Sequence, residues 1–247
     1  MRILVLSDIH GNLDALKAIL EAVRGWDEVL VLGDLVDYGP EPGEVIDEVR
    51  SIGARVVRGN HDHAAAHGVD CRAGPQLHWV SVWFRENVTL KLLGRGDRAY
   101  LASLPLKLEL DLGPARILAV HASPRDPLYD YLHPWLPPGE ALERLEGARG
   151  LVLIGHTHHQ FARVVGQAIL ANPGGAGQPR DGDPRAPYLL VDDDGRITLG
   201  RVKYPVEAVE RKLEALGIPE PYLGVLKYVL SRAEVPRGHP TPERGSA

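Results

Sequence analysis

Five short clusters in this 247-residue chain carry side chains that hold cations and move protons. They are Asp8-Ile9-His10, Gly33-Asp34-Leu35-Val36-Asp37, Gly59-Asn60-His61-Asp62, His121, and Gly155-His156-Thr157-His158. Together they offer carboxylate oxygen, amide oxygen and imidazole nitrogen, with no thiolate. That donor set suits a divalent ion such as Mn, Fe or Zn. Seven donors, Asp8, His10, Asp34, Asn60, His121, His156 and His158, exceed what one four-coordinate ion needs and call for two. Taken singly, each has an ordinary alternative, since a strand-end Asp caps helices and a lone His makes structural hydrogen bonds. Five coincidences at five equivalent places are a poor explanation of the set.

The places are equivalent because each cluster ends a short apolar run: "ILVLSDIH", "VLVLGDLVD", "RVVRGNHD", "RILAVHAS" and "LVLIGHTH". Such runs read as buried strands. The amphipathic stretches between them, residues 13–24 behind an Asn12 cap, 43–52, 75–87 and 138–149, read as helices. This alternation predicts βαβ units, and open α/β sheets collect ligands at the C-terminal ends of their strands. Further on, "LKLELDL", "RVVGQAILANP", "PYLLVDDDG" and "RITLGRVKY" read as hairpin-linked strands of a second, more antiparallel sheet. Two more helices are expected at 206–216 and 221–232, and residues 172–187 are too rich in turn formers to be anything but a loop. The expected organisation is one domain over 1–234 and a poorly ordered tail over 235–247.

The ordered signature D-x-H, G-D-x-x-D, G-N-H-[DE], a later His and G-H-x-H is complete from Asp8 to His158, and it resembles that of the calcineurin-like metallophosphoesterases. The resemblance implies an α/β fold, a four-layer α/β/β/α sandwich of two mixed β-sheets flanked by helices. It also implies two divalent metal ions. One would be held by Asp8, His10 and His158, the other by Asn60, His121 and His156, with Asp34 bridging. The activity implied is hydrolysis of a phosphodiester, nucleotide or dinucleoside polyphosphate by a hydroxide lying between the ions. An Asp37–His61 pair would protonate the leaving group, and Arg58 would clamp a phosphate.

Asn12 and Tyr38 are expected to contact the substrate. Tyr38 stands where protein phosphatases of this superfamily carry an Arg, so the chain looks closer to the small prokaryotic phosphodiesterases. The alternatives are a phosphomonoesterase or protein phosphatase of the same superfamily, and a non-catalytic metal-binding scaffold. A scaffold would be expected to lose a ligand or the dyad His, and all seven ligand positions and His61 are present.

Neighbouring residues receive plainer roles. Gly59 is expected to permit a tight turn, Asp62 to brace it, and His63, His67 and His159 to be exposed neighbours. His78 reads as structural, and His133 lies in a loop, "DPLYDYLHPWLPPG", that would overhang the pocket. A net charge of −5 without clustered Lys or Arg argues against nucleic acid, which leaves a small phosphorylated substrate as partner. The opening "MRILVLSD" is far short of a signal peptide or a membrane span, so no membrane and a cytoplasmic location are expected. The single Cys71 excludes an internal disulfide and reads as incidental. The oligomeric state is left open.

Overall fold

Strand β1 (Arg2–Leu6) is apolar on both faces because both are covered: Ile3 and Val5 point to one core, Leu4 and Leu6 to another. The computed structural model describes residues 1–112 and 115–236. β1 pairs in parallel with β2 (Glu28–Val31), which pairs in parallel with β3 (Arg55–Val56). On its other side β1 takes β9 (Ala186–Asp192) antiparallel, and β10 (Ile197–Val202) closes that edge. The second sheet runs β4-β5-β6-β8-β7, formed by β4 (Lys107–Leu112), β5 (Ala115–Val120), β6 (Gly150–Leu153), β8 (Ala168–Asn172) and β7 (Phe161–Val165). Its three central strands are parallel and its two edge strands antiparallel.

The two mixed five-stranded sheets pack face to face. Ile3, Val5, Leu30, Leu189 and Val191 of one meet Leu110, Ile117, Leu151 and Leu153 of the other. The outer face of the first sheet is covered by α1 (Leu13–Ala22), α2 (Pro42–Ser51), α4 (Pro75–Phe84), α8 (Val206–Ala215) and α9 (Tyr222–Arg232). The outer face of the second is covered by α7 (Pro138–Leu145), through Ala141 and Leu145 on Val152, Ile154 and Leu170. The expected four layers are therefore present.

The expected second, antiparallel sheet is corrected. The late strands divide, β7 and β8 joining the second sheet while β9 and β10 extend the first. The open edge of β1 accepts β9 because its alternation sends Leu189 and Val191 into the inter-sheet core beside Ile3 and Val5.

Two helices were not expected, α3 (Asn60–His67) and α6 (Arg95–Ser103). The inner face of α3 is Asn60, His61, Asp62, Ala64 and Ala65, which shows no apolar period, and α6 buries only Leu101. The expected 75–87 helix runs instead through a π-helical turn, Arg85–Thr89, into α5 (Leu90–Leu92). Among the described residues no helix is long and apolar enough to cross a membrane. Of the expected tail, 237–247 lies outside the described residues.

Candidate active site

All five clusters stand at the C-terminal ends of parallel strands. β1, β2 and β3 deliver Asp8 and His10, Asp34 and Asp37, and Asn60 and His61; β5 and β6 deliver His121, and His156 and His158. The site lies where these ends of the two sheets meet. Its backbone is bent to suit: of ten non-glycine residues with positive φ among those described, seven are Asp8, His10, Asp34, Asp37, Tyr38, His156 and His158. Each such conformation costs about 1–3 kcal/mol and persists only where the surroundings impose it, which is typical of functional sites. Gly33, at φ +88°, crosses directly against Gly59, where an added Cβ on Gly59 would strike Asp34. Gly59 itself is extended, at φ −87°, so it is required for this close approach and not, as expected, for the turn.

Three buried triads place their donor atoms within 4.8 Å of one another: Asp8–His10–His158, His10–Asp34–His61 and Asp34–His121–His156. The ring orientations suit ligation. His10, His121 and His158 donate Nδ1–H to the carbonyls of Val36, Leu32 and Gln178 at 2.8, 2.7 and 2.6 Å, which leaves each Nε2 lone pair facing inward. These lone pairs converge: His10 Nε2 is 3.4 Å from His158 Nε2, and His121 Nε2 is 3.1 Å from His156 Nδ1. Asn60 donates Nδ2–H to the Cys71 carbonyl at 2.7 Å, turning its Oδ1 toward His121 Nε2 at 2.9 Å. Asp8 Oδ1 is buried with no hydrogen-bond partner. The facing Nε2 acceptors of His10 and His158, beside an unpartnered carboxylate oxygen, are what a cation would relieve, so the donor set fits divalent metal.

The electrostatics agree for three of the four rings; at His121 burial disfavours the charge, but Asp34 outweighs it and raises the ring to about 9. Burial holds His10 down to about 3 and pushes His156 and His158 well below the usual imidazole range, so all three rings are neutral, as ligands must be. Burial together with the Asp34 charge raises Asp8 to about 7, against the pull of His121 and Arg180. Asp34 goes the other way: burial opposes its charge, but His121, His61 and His10 hold it well below the carboxylate range. Its Oδ2 lies 3.3 Å from His121 Nε2 and 3.7 Å from His10 Nε2, between the two outer triads.

His61 Nδ1 donates to Asp37 Oδ2 at 2.8 Å, and Arg85, buried on the π-helical turn, approaches the same oxygen at 3.4 Å. Burial disfavours a charged ring here, but Cys71, Asp34 and Asp37 overcome it and raise His61 to about 9. Asp62 is the expected brace. Its carboxylate accepts from the backbone N–H of Asp34, Leu35 and Gly59 at 2.8, 2.8 and 2.9 Å, tying β2 to the start of α3.

Three expected contacts are corrected or redefined. Arg58 is occupied elsewhere, donating to the Ala102 carbonyl at 3.0 Å and lying 3.0 Å from His67 Nε2. Asn12 uses both ends of its amide on the fold, capping α1 through the Ala15 N–H and donating to the Gly177 carbonyl. Tyr38 is buried, its ring packed on His10 and His61 at 4.9 and 5.0 Å and its hydroxyl without a hydrogen-bond partner, so it braces the imidazoles. His63 and His67 pack on each other, and His78 pairs with Asp70 as a structural residue.

A residue not singled out in the sequence is Arg180. It lies over the Tyr38 ring at 5.8 Å, donates Nη2–H to Gln178 and helps depress His10, His156 and His158. Its only sequence signal is that it is one of two Arg residues, with Arg185, in the expected loop 172–187.

Residues 1–195 match the calcineurin-like phosphoesterase superfamily domain. An uncharacterized protein of Methanocaldococcus jannaschii is 29% identical over 237 residues, 88% of this chain and 94% of that one. Phosphodiesterase YfcE of Escherichia coli is 25% identical over 206 residues, 78% of this chain and 89% of its own. The crystal structure of a metallophosphoesterase from Sphaerobacter thermophilus superposes with a TM-score of 0.75 at 31% identity, covering 94% of this chain and 99% of that one. With the strand-end clusters, the two mixed sheets and a match over most of its length, this chain belongs to the calcineurin-like phosphoesterase superfamily of metal-dependent phosphoric ester hydrolases.

Proposed function

We propose that the protein is a phosphodiesterase that uses two divalent ions, Mn, Fe or Zn, on a small phosphorylated substrate. The observation that carries this reading is the placement of Asp34 between the Asp8–His10–His158 triad and the His121–His156 pair, with the His61–Asp37 pair alongside. Asp8, His10 and His158 would hold one ion, Asn60, His121 and His156 the other, and Asp34 both. When bound, the ions supply Lewis acidity, acidifying water and offsetting charge on the phosphoryl oxygens. The name of the Escherichia coli relative supports the diester over the monoester.

The chain's own groups complete the reaction. Asp37, held by Arg85, fixes the His61 ring through Nδ1, and a protonated His61 has Nε2–H to give to the leaving oxygen. Arg180, beside His158, offers the guanidinium that Arg58 does not, and it would bind a non-bridging phosphate oxygen.

The test is steady-state hydrolysis of bis(p-nitrophenyl) phosphate and of p-nitrophenyl phosphate by chelator-stripped protein reloaded with Mn²⁺. Turnover that appears only on reloading and favours the diester is expected. Monoester preference would overturn the diesterase reading, and turnover that persists without metal would overturn the metal reading. His61→Ala should keep its metal and lose about 10²-fold in kcat on esters with poor leaving groups, and much less on p-nitrophenyl esters, which depart without a proton. Metal loss in that variant would contradict the role given to His61.

A further inference from the structure

The loop between β5 and α7 carries Tyr131, His133 and Trp135 at alternate positions, and their rings form a file that begins at the candidate ligand His156. Ring centroids are 4.2 Å apart from His156 to Tyr131, 5.6 Å from Tyr131 to His133 and 4.6 Å from His133 to Trp135. The outer two pairs lie within 16° and 8° of parallel. His159 stands edge-on to His133 and Trp135, bracing both. The file ends in an indole that is 66% exposed. A large flat apolar ring left open to water at the end of an ordered stack is primed to accept another flat ring.

The file borders a cleft of about 1170 Å³ that also reaches Arg180 and His156. That volume is far more than a phosphoryl group needs, and it matches a ligand of nucleotide size or larger. Burial, with the nearby His159, holds His133 down to about 4, so the stack is uncharged at neutral pH. Gln76 and Asp181 line the same cleft and supply polar groups for the edge of a ring.

We propose that the Tyr131–His133–Trp135 file is the specificity wall of the site and selects phosphate esters that carry a nucleobase, Trp135 stacking on the base while Arg180 takes the phosphate. This rests on the cluster being a phosphoesterase centre. Stacking of this kind tolerates any base, because every base presents a flat face. It therefore sets a preference for nucleotides as a class over esters with aliphatic arms.

The test is calorimetric binding to metal-loaded protein of the phosphonate analogues of AMP and of ribose 5-phosphate, which differ only in the base and resist hydrolysis. The AMP analogue should bind about ten-fold tighter or better. Trp135→Ala should bring the two within about two-fold of each other, and Trp135→Phe should restore most of the difference. Because Trp135 is mostly exposed, its replacement should leave the thermal midpoint in place, which a melting curve checks. Equal affinities in the unsubstituted protein, or a preference that survives Trp135→Ala, would overturn the proposal. The phosphoesterase reading fails by a different result, absence of turnover of both bis(p-nitrophenyl) phosphate and p-nitrophenyl phosphate while the base preference persists.

Discussion

Replacement of Asp34 by asparagine is expected to strip the site of metal and to lower turnover by roughly 10³-fold or more, the largest effect of any conservative change in this chain. Asp34 is fully buried, and its two oxygens do different work. Oδ1 accepts the His61 backbone N–H at 2.9 Å, while Oδ2 faces His121 and His10. An asparagine can keep the first contact through its carbonyl. Its NH₂ would then point at inward-facing imidazole lone pairs, donating a hydrogen bond where a cation is proposed to sit. The variant should fold, because the buried acceptors gain a donor, yet carry less metal per chain after desalting. Metal content equal to that of the unsubstituted protein would remove Asp34 from the bridging role, and full turnover would remove it from the mechanism.

Asp62→Ala is expected to be the most damaging change to stability near the site, at about 3 kcal/mol, lowering Tm by roughly 6–12 °C for a chain of this size. Three buried backbone N–H groups, of Asp34, Leu35 and Gly59, would lose their acceptor together. An unpaired buried donor retains its full desolvation cost, which is why deletion is worse here than at an exposed cap. Melting curves should be taken on chelator-stripped protein, so that metal loss does not contribute. Asp62→Asn keeps one acceptor oxygen and should fall between the two. A shift of under about 2 °C for Asp62→Ala would show that water or backbone movement replaces the carboxylate.

Asp62 and Arg58 sit four positions apart and illustrate what a sequence discloses. Asp62 is short, and its partners lie across one strand crossing, so its bracing role follows from the G-N-H-D turn itself. Arg58 is long, and its carbonyl acceptor belongs to Ala102, forty-four positions away, on a helix that buries only Leu101. Nothing local indicates that acceptor. For the same reason Arg180 was hidden, since its place over Tyr38 depends on how the 172–187 loop returns across the sheet ends.

The sequence by itself determined the donor set, the strands that end in it and the superfamily. Those features are written in contiguous residues: a buried strand, a turn that its side chains can tolerate, and ligands one or two positions beyond. Tertiary structure alone decided three other things: that β9 and β10 join β1, that Arg180 lies over Tyr38 while Arg58 turns to the Ala102 carbonyl, and that Tyr131, His133 and Trp135 stack into one file. Edge pairing and the direction of long side chains depend on which distant surface supplies the missing partner, and that surface exists only once the two sheets have packed.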